Sequence, residues 1–255
     1  MSMPSFSLQD RVAIVTGARR GIGKAIALTF ARAGADVAVC DYVIEGGELE
    51  AVAEEIRAIG RRSLAHQTDV SRKSEVDSFV KAVENELGPV DILVNNAGIS
   101  RGSVLIQQTE EEWQAVIDTN LKGCFLCSQA VGKGMIERRK GNIINIASGA
   151  GIRGFAGRNA YNVSKAGIIM VTKVLARDLA KYGIRVNALA PTNLKTEMTR
   201  GLWENPKALA AEEARIPLGR LGEVDDMTGP ALFLASDASS YITGDTIVID
   251  GGSLA

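Results

Sequence analysis

The sequence contains very little histidine, since His66 is the only one among 255 residues. We interpret His66 as a partly buried residue at the end of a strand. That assignment leaves no imidazole for a Ser-His-Asp or Cys-His hydrolase, and one histidine cannot serve a metal site that needs two imidazoles. We therefore expect neither a hydrolase of these classes nor a bound metal.

Cysteine is also scarce: there are three, and an odd number argues against a disulfide framework and fits a reducing cytosol. Cys124 and Cys127 form a C-x-x-C pair, a spacing that also occurs in redox proteins. The surrounding run NLKGCFLCSQAV has the character of a buried helix, in which cysteine acts as a small hydrophobic residue. We favour packing over redox chemistry for this pair.

Three further absences narrow the class of protein. The formal net charge is only -1, so no basic field predicts binding to nucleic acid. No apolar run approaches the ~18 residues that a membrane-spanning helix needs. The opening residues MSMPSFSLQ have neither the positive start nor the apolar segment of a secretory signal. We expect a cytoplasmic protein that acts on a small molecule, without nucleic acid or membrane as a partner.

Short apolar runs alternate along the chain with longer segments of helical period. Seven runs, many of them rich in Val and Ile, predict strands: RVAIVT, DVAVCD, SLAHQTDV, VDILVNNAG, NIINIAS, IRVNALAP and DTIVIDGG. Helices are predicted between most of them, including long ones over residues 110–135 and 160–181. This alternation predicts an α/β fold with a doubly wound, seven-stranded parallel sheet. No linker or repeat divides the chain, so residues 1–255 are expected to form one domain.

The segment TGARRGIGK joins the first predicted strand to the first helix. Gly17, Gly21 and Gly23 permit a tight turn and a close approach of the backbone to a pyrophosphate, for which the helix N-terminus supplies N–H donors. The strand before and the helix after give the context that a dinucleotide site requires. The spacing is G-x-x-x-G-x-G rather than the commoner G-x-G-x-x-G, and packing alone is the alternative explanation of these glycines.

Two opposing signals bear on which dinucleotide binds. Asp41 ends the second strand, where a carboxylate accepts hydrogen bonds from the adenosine ribose and repels a 2′-phosphate. Arg19 and Arg20 lie in the turn, where a guanidinium could hold that phosphate. Because the carboxylate acts at the ribose itself, we favour NAD and keep NADP as the alternative. Asp69 and Val70, after the third strand, could line the adenine or merely cap a turn.

Tyr161 and Lys165 lie four residues apart in NAYNVSKAG, so they share one face of a predicted helix. With the ammonium about 5 Å from the phenol oxygen, the attraction for phenolate is roughly 3 kcal/mol at an effective dielectric of ~20, or about two pKa units. We therefore expect Lys165 to lower the pKa of Tyr161, and Tyr161 to exchange a proton with a substrate oxygen.

Two more residues fit a reacting centre beside this pair. Ser148 ends the strand NIINIAS, and strand ends face the ligand crevice in this architecture, so its hydroxyl could hold the substrate oxygen. Asn120 interrupts an apolar helix. It is either a satisfied core amide or the anchor of a water that leads from Lys165 to solvent.

These motifs jointly resemble those of the short-chain dehydrogenase/reductase family over essentially the whole chain, from TGARRGIG through NNAG and YNVSK to the closing DGG. The resemblance implies a Rossmann-type fold and a catalytic Asn-Ser-Tyr-Lys set, here Asn120, Ser148, Tyr161 and Lys165. It also implies homotetramers or homodimers that pair through the two long helices. The residues expected to bind the nicotinamide cofactor are Gly17, Arg19, Arg20, Gly21, Ile22, Gly23, Asp41, Asp69, Val70, Asn95, Ala97, Gly98, Tyr161, Lys165, Pro191, Leu194 and Thr196.

One segment departs from the family pattern. The family usually has Pro-Gly after the sixth strand, whereas this chain has Pro191-Thr192, and the added side chain restricts the backbone beside the nicotinamide. Residues 192–216 follow as a less regular segment, which we interpret as a mobile substrate lid. The expected substrate-binding residues are Ser148, Ala150, Arg153, Arg158, Tyr161, Met198 and Trp203.

Three functions compete for such a chain. The preferred one is an NAD-dependent dehydrogenase of a secondary alcohol, with Arg153 and Arg158 holding the carboxylate of a sugar acid or other polyol-like substrate. A solvated loop is the alternative for both arginines. The second is an NADPH-dependent 3-oxoacyl-[acyl-carrier-protein] reductase, in which Arg138 and Arg139 would contact the acidic carrier. The third is a dinucleotide sensor, which would not need the catalytic set.

Overall fold

A seven-stranded parallel sheet forms the centre of the structure, a computed structural model that describes residues 5–102 and 104–255. Ser103 and the first four residues of MSMPSFSLQ, on which the absence of a secretory signal is predicted, lie outside the described residues. The strands pair in the order β3-β2-β1-β4-β5-β6-β7, which confirms the predicted doubly wound α/β fold. They are β1 (Val12–Thr16), β2 (Asp36–Asp41), β3 (Ser63–Gln67), β4 (Ile92–Asn95), β5 (Gly141–Ile146), β6 (Ile184–Pro191) and β7 (Thr246–Ile249).

Helices cover both faces of the sheet. They are α1 (Gly21–Arg32), α2 (Glu48–Ala58), α3 (Lys73–Glu86), α4 (Glu110–Val116), α5 (Gly123–Arg138), α6 (Asn159–Leu179), α7 (Arg200–Trp203), α8 (Pro206–Glu213) and α9 (Thr228–Ala235). The helix predicted over residues 110–135 is divided, because a π-helical stretch, Ile117–Lys122, joins α4 to α5. This stretch contains Asn120 and therefore lies at the candidate site.

Alternate residues of β1 face two different helical layers. Ala13 and Val15 pack with residues of α1, α2 and α9, whereas Val12 and Ile14 pack with residues of α3, α5 and α6. Side chains alternate across a strand, so both faces of the central strand are covered by helices. This double burial explains why the strands read as continuous Val/Ile runs rather than as alternating polar and apolar residues.

Residues 192–216 contain more helix than their sequence suggested. Asn205 caps α8 by accepting hydrogen bonds from the backbone N–H groups of Lys207 and Ala208, and Pro206 occupies the first turn. The Asn-Pro pair was a readable signal for this helix start. The mobility of the segment stays a prediction. Helix α9 was also not predicted, because Gly229 and Pro230 stand in its first turn and its apolar residues have no amphipathic period.

The scarce residues of the sequence are packing residues in the structure. His66 lies in β3 with its ring 5.3 Å from that of Phe79 and its Nδ1 2.9 Å from Thr68 Oγ1. Cys124 and Cys127 are free and buried, and burial raises the pKa of Cys124 to about 12, which agrees with packing rather than redox chemistry. Within residues 5–102 and 104–255, no helix has the length and apolar character to span a membrane.

Candidate active site

The glycine-rich turn lies between the carboxyl end of β1 and the start of α1, pressed against the segment after β4. A Cβ on Gly17 would stand 2.7 Å from the Cα of Ala97, and one on Gly23 would stand 2.5 Å from Asn96 Nδ2. Asn96 Nδ2 donates to the carbonyl oxygens of Thr16 and Gly17, both at 2.9 Å. The glycines are therefore required for the close approach of two backbone segments.

The start of α1 fits the pyrophosphate of a dinucleotide. Among the described residues, no side chain caps this helix and its first turn holds no acidic residue. Gly17 and Gly21 have φ values of 63° and 57°, which bend the turn around the helix start. Unpaired N–H groups and the positive end of the helix dipole then remain available to an anion.

Both arginines of the turn face carboxylates. The Arg19 guanidinium donates to Glu48, and its Nε lies 3.8 Å from Asp41 Oδ1. Arg20 Nη1 lies 3.7 Å from Glu197 Oε2. Arg19 lowers the pKa of Glu48 through this hydrogen bond, which keeps Glu48 ionised. Both guanidinium groups therefore already have a carboxylate as counter-charge, Arg19 at the end of β2 and Arg20 in the segment after β6.

The four residues of the expected catalytic set lie together and are buried. Ser148 follows β5 by two residues, and its hydroxyl lies near enough to the Tyr161 phenol to lower the pKa of that group. Lys165 Nζ lies 5.6 Å from the centroid of the Tyr161 ring and donates to the Ile146 carbonyl oxygen at 2.6 Å. The structure thus brings together groups that are separated by up to 45 positions in the sequence.

Asn120 connects this cluster to the loop after β4. Its Oδ1 accepts from the backbone N–H of Ile99 at 2.8 Å, and its Nδ2 donates to Ile99 O and Ser164 Oγ, both at 3.0 Å. Ser164 in turn donates to the Tyr161 carbonyl oxygen at 2.8 Å. The amide is therefore engaged by protein groups, as the first alternative for Asn120 expects, and its role at the site stays a prediction.

The pKa of Tyr161 is shifted in the direction opposite to that expected from the sequence. Burial raises the pKa of the phenol, and the hydrogen bond to Ser148 and the positive charge of Arg158 oppose this increase. Burial also lowers the pKa of Lys165 to about 8, and its amine points to the Ile146 carbonyl. The expectation that Lys165 lowers the pKa of Tyr161 is wrong for the unliganded chain, because desolvation of the phenol outweighs the groups that favour phenolate.

The remaining expected cofactor residues lie in different surroundings. Pro191 ends β6, and Gly98, Leu194 and Thr196 lie in the segments that follow β4 and β6, at the carboxyl ends of the strands. Three others have side chains engaged elsewhere. Asn95 Nδ2 donates to Ser128 and Asn145 inside the core, Asp69 accepts from Ser71 as a turn cap, and Val70 is buried. Ile22 is half-buried in the first turn of α1.

Of the other expected substrate residues, Ala150 and Arg158 are the ones that the structure links to Tyr161. Ala150 packs with Tyr161, and its backbone N–H donates to Ser148 Oγ at 3.1 Å. Arg158 lies near enough to act on the charge of Tyr161, whereas Arg153 has no such effect. Met198 is exposed, and Trp203 Nε1 donates to the Thr196 carbonyl oxygen at 3.0 Å, which closes the start of the lid segment on itself.

Some residues that build the site were not found from the sequence. Thr16 Oγ1 accepts from the backbone N–H groups of Asn96 and Ala97 at 3.0 Å and so joins β1 to the segment after β4. Ser164 stands inside YNVSK and Asn96 inside NNAG, so both motifs signalled them. Glu48 had no local signal, because its pairing with Arg19 depends on how α2 packs.

Comparisons with known proteins agree with this geometry. A family model described as Enoyl-(Acyl carrier protein) reductase matches residues 17–253. The chain is 46% identical over 243 residues to the 3-oxoacyl-[acyl-carrier-protein] reductase FabG of Staphylococcus epidermidis, covering 95% of this chain and 98% of the relative. It is 44% identical to the Synechocystis 3-oxoacyl-[acyl-carrier-protein] reductase over 96% of this chain and 98% of that one.

Solved structures have the same architecture. A putative gluconate dehydrogenase from Agrobacterium tumefaciens superimposes with a TM-score of 0.95 at 37% identity, covering 99% of both chains. A gluconate 5-dehydrogenase from Burkholderia cenocepacia, in complex with NADP and tartrate, gives a TM-score of 0.93 at 37% identity over 98% of this chain and 97% of that one. The chain has the Rossmann-like fold of NAD(P)-linked oxidoreductases that act on CH–OH groups. It belongs to the short-chain dehydrogenase/reductase family.

Arg158 provides a test of the electrostatics at Tyr161. With Tyr161 in its expected role as proton acceptor, the rate of alcohol oxidation should rise with pH as the phenol loses its proton. The Arg158 charge lowers the pKa of Tyr161, so Arg158→Gln should move the rising limb of the oxidation profile to higher pH. Arg153→Gln, in the same loop, should leave the limb in place. The measurement is kcat against pH for both variants, and equal shifts would contradict the assignment.

Proposed function

We propose that the protein interconverts a secondary alcohol and a ketone, with Tyr161 moving the proton and Ser148 holding the reacting oxygen. The observation that carries the proposal is the joint burial of Ser148, Tyr161 and Lys165, in which the Ser148 hydroxyl lowers the pKa of the phenol and the Lys165 amine lies 5.6 Å from the ring centroid. The glycine cradle and the uncapped start of α1 fit a nicotinamide dinucleotide, which supplies or accepts the hydride when bound.

The raised pKa of Tyr161 keeps the phenol protonated near neutral pH, which suits proton donation to a ketone. Ser148 lies within hydrogen-bond reach of the same phenol, so one ketone oxygen can contact both hydroxyls. In the reverse direction, the phenol must first lose its proton. A positive charge near the ring favours that loss, and Lys165 and Arg158 are the residues here that supply it.

As the first substrate class we propose a 3-oxoacyl thioester. The relatives that are 46% and 44% identical to this chain are named as 3-oxoacyl-[acyl-carrier-protein] reductases. One part of the surroundings of Tyr161 is apolar, since Ile99, Trp113 and Phe155 pack against the cluster that contains it. An apolar wall suits an alkyl chain better than the many hydroxyls of a polyol.

We do not propose that Arg138 and Arg139 bring an acyl carrier protein to the active site of their own protomer. Arg138 Nη2 donates to the carbonyl oxygen of Val90 at 2.6 Å, and Arg139 Nη2 donates to that of Lys181 at 2.7 Å. Val90 precedes β4 and Lys181 precedes β6, so both arginines lie at the amino ends of the strands. Ser148 and Tyr161 lie at the opposite, carboxyl ends of the strands.

A sugar acid is the second candidate substrate. Arg158, whose charge acts on Tyr161, is placed to attract a carboxylate to the reacting centre. Structural neighbours at TM-scores of 0.95 and 0.93 are described as gluconate dehydrogenases. We rank this candidate second because those neighbours are 37% identical to this chain, against 46% for the reductase of Staphylococcus epidermidis.

Parallel kinetics separate the two substrates. We expect NADH- or NADPH-dependent reduction of acetoacetyl-CoA to have a higher kcat/KM than oxidation of gluconate, measured by absorbance of the reduced cofactor at 340 nm. Tyr161→Phe should lower kcat at least 100-fold, the order expected for loss of a general acid. A faster gluconate reaction would favour the second candidate. Full turnover by Tyr161→Phe would contradict the proposed role of Tyr161 in proton transfer.

We further propose that NAD is the preferred cofactor. The group of charges at the end of β2 comprises Asp41, Glu48 and Arg19, so the carboxylates outnumber the guanidinium. Such a group accepts hydrogen bonds from ribose hydroxyls and repels a 2′-phosphate. The NADP in the Burkholderia cenocepacia complex argues for the alternative, so the charges of this chain need a direct test.

Glu48 makes that test specific. Wild-type protein should bind NADH at least tenfold more tightly than NADPH in a fluorescence titration, because one uncompensated charge is worth about 1.4 kcal/mol or more at this distance. Glu48→Gln frees Arg19 and should tighten NADPH binding roughly threefold to tenfold. Glu50→Gln is the matched control, because Glu50 lies in the same helix but pairs with Arg57. Equal NADH and NADPH affinities in the wild type would overturn the proposal.

We also propose self-association through α5 and α6, as the family resemblance implies. Val163, Met170 and Val174 are exposed along one face of α6, and Phe125 is exposed on α5. An apolar face of this kind is covered more favourably by another protein surface than by water. Val163→Glu should lower the sedimenting mass in analytical ultracentrifugation. A wild-type monomer at micromolar concentration would contradict the proposal.

A further inference from the structure

The structure explains how Thr192 fits where the family usually has glycine. A Cβ on Gly149 would stand 2.2 Å from Thr192 Cγ2 and 3.0 Å from Leu254 Cδ1. The Thr192 methyl and the Leu254 side chain therefore occupy the space that a side chain at position 149 would need. Gly149 directly follows Ser148, so this interlock forms a wall next to the residue that holds the reacting oxygen.

The C-terminal turn holds Leu254 against that wall. The two carboxylate oxygens of Asp250 accept from the backbone N–H groups of Gly252 at 2.9 Å and Leu254 at 2.7 Å. Gly251 and Gly252 pack on Ile216 and Pro217, at the end of the lid segment. The wall thus joins three separate parts of the chain: the loop after β5, the loop after β6 and the turn after β7.

The Thr192 hydroxyl has no hydrogen-bond partner within the described part of the chain. Its Oγ1 is buried and makes no hydrogen bond to any protein group there. Ser148 Oγ lies 3.4 Å from the carbonyl oxygen of Pro191, the residue before Thr192. A buried hydroxyl without a partner is unfavourable for folding, so an isosteric valine would suit this position better unless the hydroxyl binds something else.

A crevice of about 170 Å³ lies beside Thr192. Its apolar lining includes Leu194, Ile216, Leu218 and Ile249, and its polar lining includes Arg220 and Asp226. Those two polar side chains are already paired with each other, through contacts of 2.8 and 3.0 Å. Thr192 therefore lines this crevice and also contacts Gly149 of the Ser148 loop, and its buried Oγ1 has no partner among the described residues.

We propose that Thr192 is a substrate-binding residue whose hydroxyl hydrogen-bonds an oxygen that lies one or two carbons from the reacting carbonyl. This inference rests on the proposed function, and it narrows the substrate to ketones with a neighbouring oxygen, such as the thioester carbonyl of a 3-oxoacyl group or the adjacent hydroxyl of a sugar acid. The methyl group, with Leu254, excludes a bulky branch on the Gly149 side.

The first experiment tests the wall without any substrate. Gly149→Ala should lower Tm by roughly 3–8 °C in the wild type, because the added methyl overlaps Thr192. The same substitution in a Thr192→Gly background should cost much less. Gly154→Ala, in the same loop with no heavy atom near its Cβ position, is the control and should change Tm little. Equal decreases in Tm in both backgrounds would show that Thr192 does not occupy the space beside Gly149.

The second experiment tests the hydroxyl. Thr192→Val keeps the shape and removes the hydroxyl, so Tm should stay at or above the wild-type value. KM for acetoacetyl-CoA, or for gluconate if that is the faster substrate, should rise about fivefold to tenfold, with a smaller effect on kcat. Thr192→Ser should restore most of the loss in KM.

The outcomes separate this inference from the proposed function. An unchanged KM in Thr192→Val, or a clear loss of Tm in that variant, would show that the hydroxyl has no substrate role or has a structural partner, and would overturn the inference. Failure of the wild type to act on either substrate would instead count against the proposed function. The Tm of Thr192→Val would still show whether the hydroxyl is unpaired. The Tm of Gly149→Ala in the wild-type and Thr192→Gly backgrounds would still show whether Thr192 contacts Gly149.

Discussion

The candidate site depends on one constraint, which is that parallel strands bring their carboxyl ends to a single edge of the sheet. The turn after β1, the NNAG segment after β4, Ser148 after β5 and Thr192 after β6 all lie at that edge. Thr16 shows how closely they are joined, since its hydroxyl donates to Val94 O at 3.3 Å and accepts from two N–H groups beyond β4. Loss of the strand register would separate every group of the site.

Burial decides the resting protonation of that site. Taking a phenol and an amine out of water disfavours phenolate and ammonium alike, so the pKa of Tyr161 rises while that of Lys165 falls to about 8. The fixed dipoles of the pocket, such as the Ile146 carbonyl and the Ser148 hydroxyl, offset part of this penalty. A buried pair of this kind is adjusted by what binds beside it, because a ligand charge acts there with little screening by water.

Reaction class and substrate are set by different parts of the molecule. The chain matches 3-oxoacyl-[acyl-carrier-protein] reductases and a putative gluconate dehydrogenase over almost its whole length, and the dehydrogenase has the same fold. We expect substrate choice to depend on three segments, which are the loop with Arg158, residues 192–216 and the C-terminal turn. Relatives with different named substrates can therefore match almost the whole chain.

The sequence by itself determined the strand pattern, the parallel sheet and the motifs that bear on chemistry, because these depend on local period and on spacing within one element. Tertiary structure alone decided three matters: the counter-charges of Arg19, the π-helical stretch at Asn120, and the contact of Thr192 with Gly149 and Leu254. It also reversed the expected pKa shift of Tyr161, because spacing along a helix reports the distance to Lys165 but not the loss of water around both groups. Burial and contacts between distant segments exist only in the folded chain, so no pattern along the sequence could have supplied them.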